Sequence, residues 1–136
     1  MSKKTANTHK QQEILDLINV VTNKHNNNFV DFKKIGKVEA KTIAELTGLN
    51  VEGYVHTLDN SGVLHALKHK NINASDILLI PFIIDNYDFI GKGKEENTIV
   101  YKKVINQEYY YVEEIRKGRK KLALKTLYKR KKRVIF

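Results

Sequence analysis

The sequence predicts an α+β domain in which N-terminal helices pack on a C-terminal antiparallel sheet of three to four strands. Apolar residues recur at helical spacing in the N-terminal part of the chain, as in the stripe of Ile14, Leu17 and Val21. After residue 98, β-branched and aromatic residues occur in near-alternating runs that turn residues separate. The breaks between these runs are too short for parallel crossovers, which need a dozen or more residues. Helices followed by an antiparallel sheet are typical of the α+β class.

Three or four helices are predicted before the sheet, at about residues 10–24, 38–46, 61–69 and 77–85. Gly48 marks the end of the second helix, and Asp59 with its polar neighbours can cap the third. Ser75 and Asp76 are the predicted caps of the fourth. Pro81 lies inside that apolar segment, so it must kink the helix or divide it into two turns.

The predicted strands follow these helices. The main ones are residues 98–104, 109–116 and 122–128, with residues 89–94 as a further strand that Gly91 and Gly93 weaken. Earlier in the chain, residues 29–32 suit a short strand or a packed turn, and residues 50–57 look extended or irregular.

The register of the last strands decides which acidic side chain shares a face with Thr126. If the first hairpin closes at Asn106-Gln107, Val100 faces the same side as Glu113. A second turn of two or four residues then puts Glu113 on the face of Thr126. An odd loop or a bulge would put Glu114 there instead, because side chains alternate strictly along a strand. The predicted face also carries Tyr109, Tyr111, Leu122, Leu124 and Tyr128.

Lysine and arginine are unevenly spread along this chain, whose formal net charge is +10. From residue 116 to residue 133 there are eleven of them and no acidic residue. A field of this sign favours phosphate backbones or acidic protein surfaces, and the run coincides with a predicted strand. The alternative is a solvated basic tail. We therefore expect contact with nucleic acid.

The composition limits the remaining classes of protein. Hydrophobic residues make up 41% of the 136, which is enough for a core and argues against global disorder. The absence of cysteine excludes disulfides and thiolate metal sites. No apolar run could cross a bilayer and no signal peptide is evident, so a cytoplasmic location without membrane contact is expected. A boundary near Asn50 would divide a helical N-terminal extension, residues 1–49, from residues 50–136 within one compact unit.

Two histidines, a carboxylate and a hydroxyl form the predicted catalytic set. His65 and His69 are four residues apart, so they lie one turn apart on the same side of a helix. With Glu113 and Thr126 from the strands they could cleave RNA without a metal. One base removes the 2′-hydroxyl proton, one acid protonates the leaving 5′-oxygen, and polar donors stabilise the charge on the phosphoryl oxygens. Imidazole suits either proton role because its ordinary pKa lies near neutrality.

Substrate binding is expected from the basic and aromatic residues of the same strands. The candidates for phosphate contact are Lys125, Lys129 and Arg130. The candidates for stacking on unpaired bases are Tyr109, Tyr110, Tyr111 and Tyr128.

Each of these residues also has an ordinary structural explanation. Tyrosine and Thr126 are common in strands, and Glu113 could neutralise a lysine on a neighbouring strand. Histidines at helical spacing also arise by chance, and His56 is either a third member of the site or a surface residue. No acidic helix motif or third ligand accompanies the histidine pair, so neither a metal site nor a cofactor is predicted.

Several stretches together resemble a known family. They are residues 53–56, 63–69, 75–77 with 80–81, 99–102, 110–114 and 124–128. The main features are the helix with two histidines, the Asp-Ile-x-x-Ile-Pro step that starts at Asp76, and the strand that ends in Thr-x-Tyr. In this order they resemble the phage-associated branch of the BECR ribonuclease superfamily, which includes barnase-like, EndoU-like, colicin-type and RelE-like nucleases. The resemblance covers about residues 48–130.

The resemblance implies helices packed on a four-stranded antiparallel sheet and metal-independent cleavage of RNA, often tRNA or other host RNA. Such proteins are toxins or belong to phages and mobile elements. His65 and His69 match the helix histidines of the family, Glu113 the strand carboxylate and Thr126 the last-strand hydroxyl. Residues 50–136 would be the nuclease domain, acting in the cytoplasm, including that of a host. For a toxic nuclease, an acidic immunity protein or antitoxin is expected on the basic face.

Two other functions fit the same sequence. Residues 42–49 resemble the first helix and turn of a winged helix-turn-helix DNA-binding protein. Residues 51–62 would be its recognition helix and the tyrosine-rich hairpin its wing, although Gly53 and the polar cluster at 59–62 interrupt that helix. The other alternative is a phage protein that keeps a nuclease fold and binds without catalysis.

Overall fold

The computed structural model describes residues 12–19, 31–33 and 38–131, which form an α+β fold as predicted. The helices are α1 (residues 12–19), α2 (Ala40–Thr47), α3 (Asn60–Leu67), α4 (Ala74–Ile77) and α5 (Ile80–Asp85). The strands are β1 (Asp31–Lys33), β2 (Val55–Asp59), β3 (Phe89–Lys92), β4 (Thr98–Val104), β5 (Glu108–Arg116) and β6 (Lys121–Arg130). The two ends of the predicted first helix lie outside the described residues.

The six described strands form one mixed sheet in the order β1-β2-β6-β5-β4-β3. Strands β3 to β6 are antiparallel neighbours and correspond to the predicted sheet of three to four strands. Two further strands extend it, because β2 pairs parallel with β6 and β1 pairs antiparallel with β2. The long connection between β2 and β6 permits this parallel pairing. The prediction of an antiparallel sheet used only the short turns between the later strands, so it did not include this pairing.

The sheet has one buried face and a second face, here called the open face, which is partly exposed along β5. Side chains alternate between the two along β5. Those on the buried face are Tyr109, Tyr111, Glu113 and Ile115, and those on the open face are Glu108, Tyr110, Val112, Glu114 and Arg116. Helices α2 and α5 contact the sheet on its buried face, where Ile43 and Ile84 pack in one core with Tyr101. The open face is therefore the one available to a ligand.

Helix α3 lies against β6 and begins at the end of β2. Asp59 caps the helix as predicted, and its carboxylate accepts a hydrogen bond from the Gly62 N–H at 2.8 Å. Arg116 of β5 binds the same carboxylate, with 3.0 Å between Nη1 and Oδ2. Beyond the helix, the Asn71 side-chain amide donates to the Lys129 carbonyl at 3.1 Å. These contacts hold both ends of α3 against the sheet.

Gly62 is the position in α3 where an added methyl group should do most damage. A Cβ there would lie 2.3 Å from the carbonyl oxygen of Leu124, a backbone atom that can move only with β6. We expect Gly62→Ala to lower the free energy of unfolding by about 1–3 kcal/mol, the usual cost of overpacking. Urea unfolding measures this loss. Gly118→Ala is the matched control, since a Cβ at Gly118 meets nothing within 4 Å. Equal stability of the two variants would contradict the close contact between α3 and β6.

Pro81 divides the fourth predicted helix into α4 and α5, and it lies in the first turn of α5. The cap of α4 differs from the prediction, because Asn73 rather than Ser75 is the N-cap residue. The Asn73 side chain accepts from the Asp76 N–H at 3.2 Å, and the Asp76 carboxylate accepts from the Asn73 N–H at 2.9 Å. This capping box fixes the position of the buried Asp76 carboxylate.

Helix α2 ends where Gly48 was predicted to end it, with the glycine at φ 76° in the left-handed region. The next element is strand β2, and α3 starts only at Asn60. Residues 51–62 therefore do not form a recognition helix, and the helix-turn-helix alternative is wrong.

The first hairpin differs from its prediction by one residue. Its loop has three residues, 105–107, rather than two, because Val104 pairs with Glu108. Val100 consequently pairs with Val112 and lies on the face opposite to Glu113.

The second hairpin has the predicted turn of four residues, 117–120, so Glu113 pairs with Leu124. A β-bulge at Lys125 then shifts the register, and Thr126 pairs with Val112. Because the bulge adds one residue to β6, Thr126 and Glu113 point to opposite faces of the sheet. The prediction that Glu113 shares a face with Thr126 is wrong, and Glu114 shares that face instead. Tyr128 is separated from Tyr109 and Tyr111 for the same reason.

Candidate active site

Just beyond α3, the chain meets the open face of the sheet at Thr126. The distance from His69 Nε2 to Thr126 Oγ1 is 2.8 Å, which is a hydrogen bond. His65 lies about one turn earlier, with its ring centroid 5.9 Å from that of His69 and the two planes at 87°. Both imidazoles are exposed. Three of the four predicted catalytic residues therefore lie together.

A cleft of about 210 Å³ opens beside His65, between the start of α3 and strands β5 and β6. Its lining consists of Ser61, Gly62, His65, Glu114, Arg116, Leu124 and Lys125. Lys125 Nζ lies 3.7 Å from Glu114 Oε2 and also forms an ion pair with Glu95. The hydrogen bond between Lys125 and Glu95 raises the pKa of the lysine and lowers the pKa of the carboxyl group. The mouth of the cleft thus carries a lysine that stays charged.

Two tyrosine rings are stacked on the open face next to Thr126. Tyr110 and Tyr128 are paired across β5 and β6, with their ring centroids 4.8 Å apart and their planes 9° apart. The Arg130 guanidinium lies 5.3 Å from the first ring centroid and 5.6 Å from the second. Lys102 Nζ lies 5.8 Å from the centroid of the Tyr110 ring. An aromatic surface bordered by cations suits a nucleobase and its phosphates.

Glu113 belongs to a buried cluster on the other face of the sheet. Its side chain is 0% exposed, and its Oε2 lies 2.5 Å from Nδ1 of His56, which is 1% exposed. Tyr111 donates a hydrogen bond from its hydroxyl to the same oxygen at 2.9 Å. Burial and then the charge of Glu113 raise the pKa of both Tyr111 and Tyr101. These contacts place Glu113 in the core rather than beside His65 and His69.

A comparison with protein-family models agrees with this fold. Residues 33–136 match the family described as "phage-Barnase-EndoU-ColicinE5/D-RelE like nuclease3". The chain belongs to this nuclease family. The match includes helices α2 to α5 and strands β2 to β6, and it confirms the resemblance to the BECR superfamily. No curated protein and no solved structure gave a match.

In this member of the nuclease family, three predicted substrate-binding residues are not on the open face. Tyr111 is fully buried, and Lys129 Nζ lies 3.1 Å from both carboxylate oxygens of Asp76. Tyr109 donates its hydroxyl proton to Asp76 Oδ1 at 2.8 Å, and burial followed by this hydrogen bond raises its pKa to about 12. Lys129 and Tyr109 hold α4 against the sheet through Asp76, whereas Tyr111 binds Glu113 in the core. None of the three lies on the open face, where the prediction placed the RNA contacts.

Sequence reasoning missed Arg116 and the partners of Asp76. Strand alternation places Arg116 on the face of Glu114, so its presence in the cleft could have been inferred from the correct register. Asp76 was expected only as a helix cap, and no local pattern indicates that its carboxylate meets Lys129, which lies 53 residues later.

The groups that the nuclease presents on its open face can transfer protons and bind phosphate. Two imidazoles, a hydroxyl, a carboxylate and an ammonium group lie around one surface, as general acid–base catalysis requires. Among the described residues, no three His, Asp or Glu side chains are grouped closely enough to hold a metal ion.

In the same part of the chain, no helix has the length and apolar character needed to cross a membrane.

Proposed function

We propose that this nuclease cleaves RNA by attack of a 2′-hydroxyl on the adjacent phosphorus, which leaves a cyclic phosphate and needs no metal. The hydrogen bond of 2.8 Å between His69 and Thr126, with His65 one turn away, carries this proposal. One imidazole removes the 2′-hydroxyl proton and the other protonates the leaving 5′-oxygen. The Thr126 hydroxyl donates to a phosphoryl oxygen as negative charge grows there.

Substrate binding is assigned to the cations and rings that surround these three residues. Lys125 and Arg130 contact phosphates, and the exposed sides of Tyr110 and Tyr128 stack on unpaired bases. Glu114 takes the role that was predicted for Glu113, because it lines the same cleft as His65. Its carboxylate can orient that imidazole during proton transfer.

The decisive experiment incubates purified protein with total RNA in EDTA and analyses the new ends. We expect cleavage to continue in the chelator and to leave 2′,3′-cyclic phosphates, because attack by the 2′-hydroxyl needs only groups of the protein. Single-stranded DNA of matched sequence should stay intact, since it lacks the nucleophile. Cleavage of DNA, or loss of RNA cleavage in EDTA, would contradict this mechanism. Binding of RNA without cleavage would favour the alternative of an inactive nuclease-fold protein.

We further propose that such an activity belongs to a toxin or to a phage or mobile-element protein that acts on RNA, including tRNA, in the cytoplasm. A nuclease of this kind needs a partner that restrains it, and the net charge of +10 favours an acidic immunity protein or antitoxin. Co-purification with an acidic protein that blocks cleavage tests this part of the proposal.

A further inference from the structure

A row of side chains crosses the open face from β6 to the edge strand β3. Tyr128 pairs with Tyr110, Tyr110 with Lys102, and Lys102 with Phe89. Directly paired residues share a face, so these four side chains lie in one line across four strands. Phe89 ends the row and is 58% exposed, although phenylalanine usually contributes to a core.

The Phe89 ring lies along the sheet rather than projecting from it. Its tip reaches over Gly91, where a Cβ would lie only 2.9 Å from Phe89 Cζ. Gly91 pairs with Val100, which pairs with Val112, and Val112 pairs with Thr126. The absence of a side chain at Gly91 therefore lets the ring lean toward the row that contains Thr126.

We infer that Phe89 is a second base-stacking site, for an unpaired base of a single RNA strand that crosses the open face. Neighbouring strands are about 4.8 Å apart, so Phe89 lies about 14 Å from Tyr128, which is more than one nucleotide step. Lys102 lies between the two aromatic sites and is partly exposed, which suits contact with a phosphate of the strand that connects the two stacked bases. The lysine paired with Phe89 favours nucleic acid over an apolar protein partner.

This inference rests on the proposed ribonuclease function. It is tested by measuring how kcat/KM depends on the length of the RNA substrate. We expect kcat/KM of the wild-type protein to rise as single-stranded oligoribonucleotides are extended from two nucleotides to ten. Phe89→Ala should lower kcat/KM on the long strands by about 5- to 100-fold and leave the dinucleotide unaffected, since one stacked base is lost. Phe89→Trp should restore the dependence on length, because every aromatic ring can stack on a base.

Phe82→Ala is the matched control. Phe82 is also exposed, at 42%, and also lies near a lysine, with Lys103 Nζ 5.7 Å from its ring centroid. It belongs to α5, on the helix side of the sheet. Phe82→Ala should therefore cleave strands of every length like the wild type. The same length dependence in Phe89→Ala and the wild type would overturn the inference.

A second measurement separates the stacking site from the catalytic proposal. A ten-nucleotide 2′-O-methyl RNA cannot be cleaved by 2′-hydroxyl attack, so its affinity reports binding alone. If the wild type cuts no RNA, the proposed function fails, and a weaker affinity of Phe89→Ala for this probe still supports the stacking site. Equal affinities of Phe89→Ala and the wild type would refute the stacking site even if cleavage were observed.

Discussion

His69→Ala is expected to lower kcat for RNA cleavage by about 10²- to 10⁴-fold, the usual contribution of a general acid or base. The ring is exposed and its side-chain hydrogen bond is to Thr126, so its removal should leave the fold intact. His65→Ala should cause a loss of similar size, because the two imidazoles transfer different protons. The double variant should be little worse than either single one, since residues that act as a unit do not contribute additively.

Single-turnover cleavage of a fluorescent RNA measures these losses, and circular dichroism with urea unfolding checks the fold. Lys68→Ala is the matched control, because Lys68 is exposed next to the same turn and has no part in the proton transfers. Thr126→Val keeps the shape of the side chain and removes the hydrogen bond to His69, so a smaller loss in kcat is expected. Full activity in both histidine variants would exclude the proposed chemistry even if RNA were cut.

Local patterns were sufficient to predict most of the elements that carry these residues. Alternation located strands β4 to β6, and the caps at Gly48 and Asp59 located the ends of α2 and α3, because each of these signals depends on neighbouring residues. The parallel pairing of β2 with β6 depends on hydrogen bonds between distant segments. No turn or periodicity signal in the sequence indicates such a pairing. The sequence therefore could not show that His56 lies on β2, in the core beside Glu113.

The carboxylate of the site could be predicted only as one of two alternatives. The turn of four residues before β6 was predicted, but the bulge at Lys125 reverses the orientation of every residue after it. No glycine or proline in β6 marks this bulge. Alternation along the strands therefore limited the candidates for the carboxylate of the site to Glu113 and Glu114. Only the pairing of Thr126 with Val112 shows that Glu114 is the one on the face of Thr126.

Glu113→Leu is expected to destabilise the protein by about 1–3 kcal/mol for each buried polar group that it leaves without a hydrogen bond. The change leaves the buried Nδ1 of His56 and the Tyr111 hydroxyl without the oxygen that now binds both. Urea unfolding at neutral pH measures the loss. His56→Leu combined with Glu113→Leu should recover part of the stability, because the double variant has no unpaired member of the pair and the two single losses are not additive.

Glu114→Gln is the counterpart that separates stability from catalysis. Glu114 is partly exposed and lines the cleft of His65, so its loss should lower kcat/KM for RNA while the urea midpoint stays at the wild-type value. The conservative Glu113→Gln should do the reverse, with a lower midpoint and near wild-type cleavage below the unfolding transition.

If Glu113→Gln were stable and inactive while Glu114→Gln cut normally, the carboxylate of the site would be Glu113. The bulge at Lys125 would then have to be absent when RNA is bound, because only a change in register brings Glu113 to the face of Thr126.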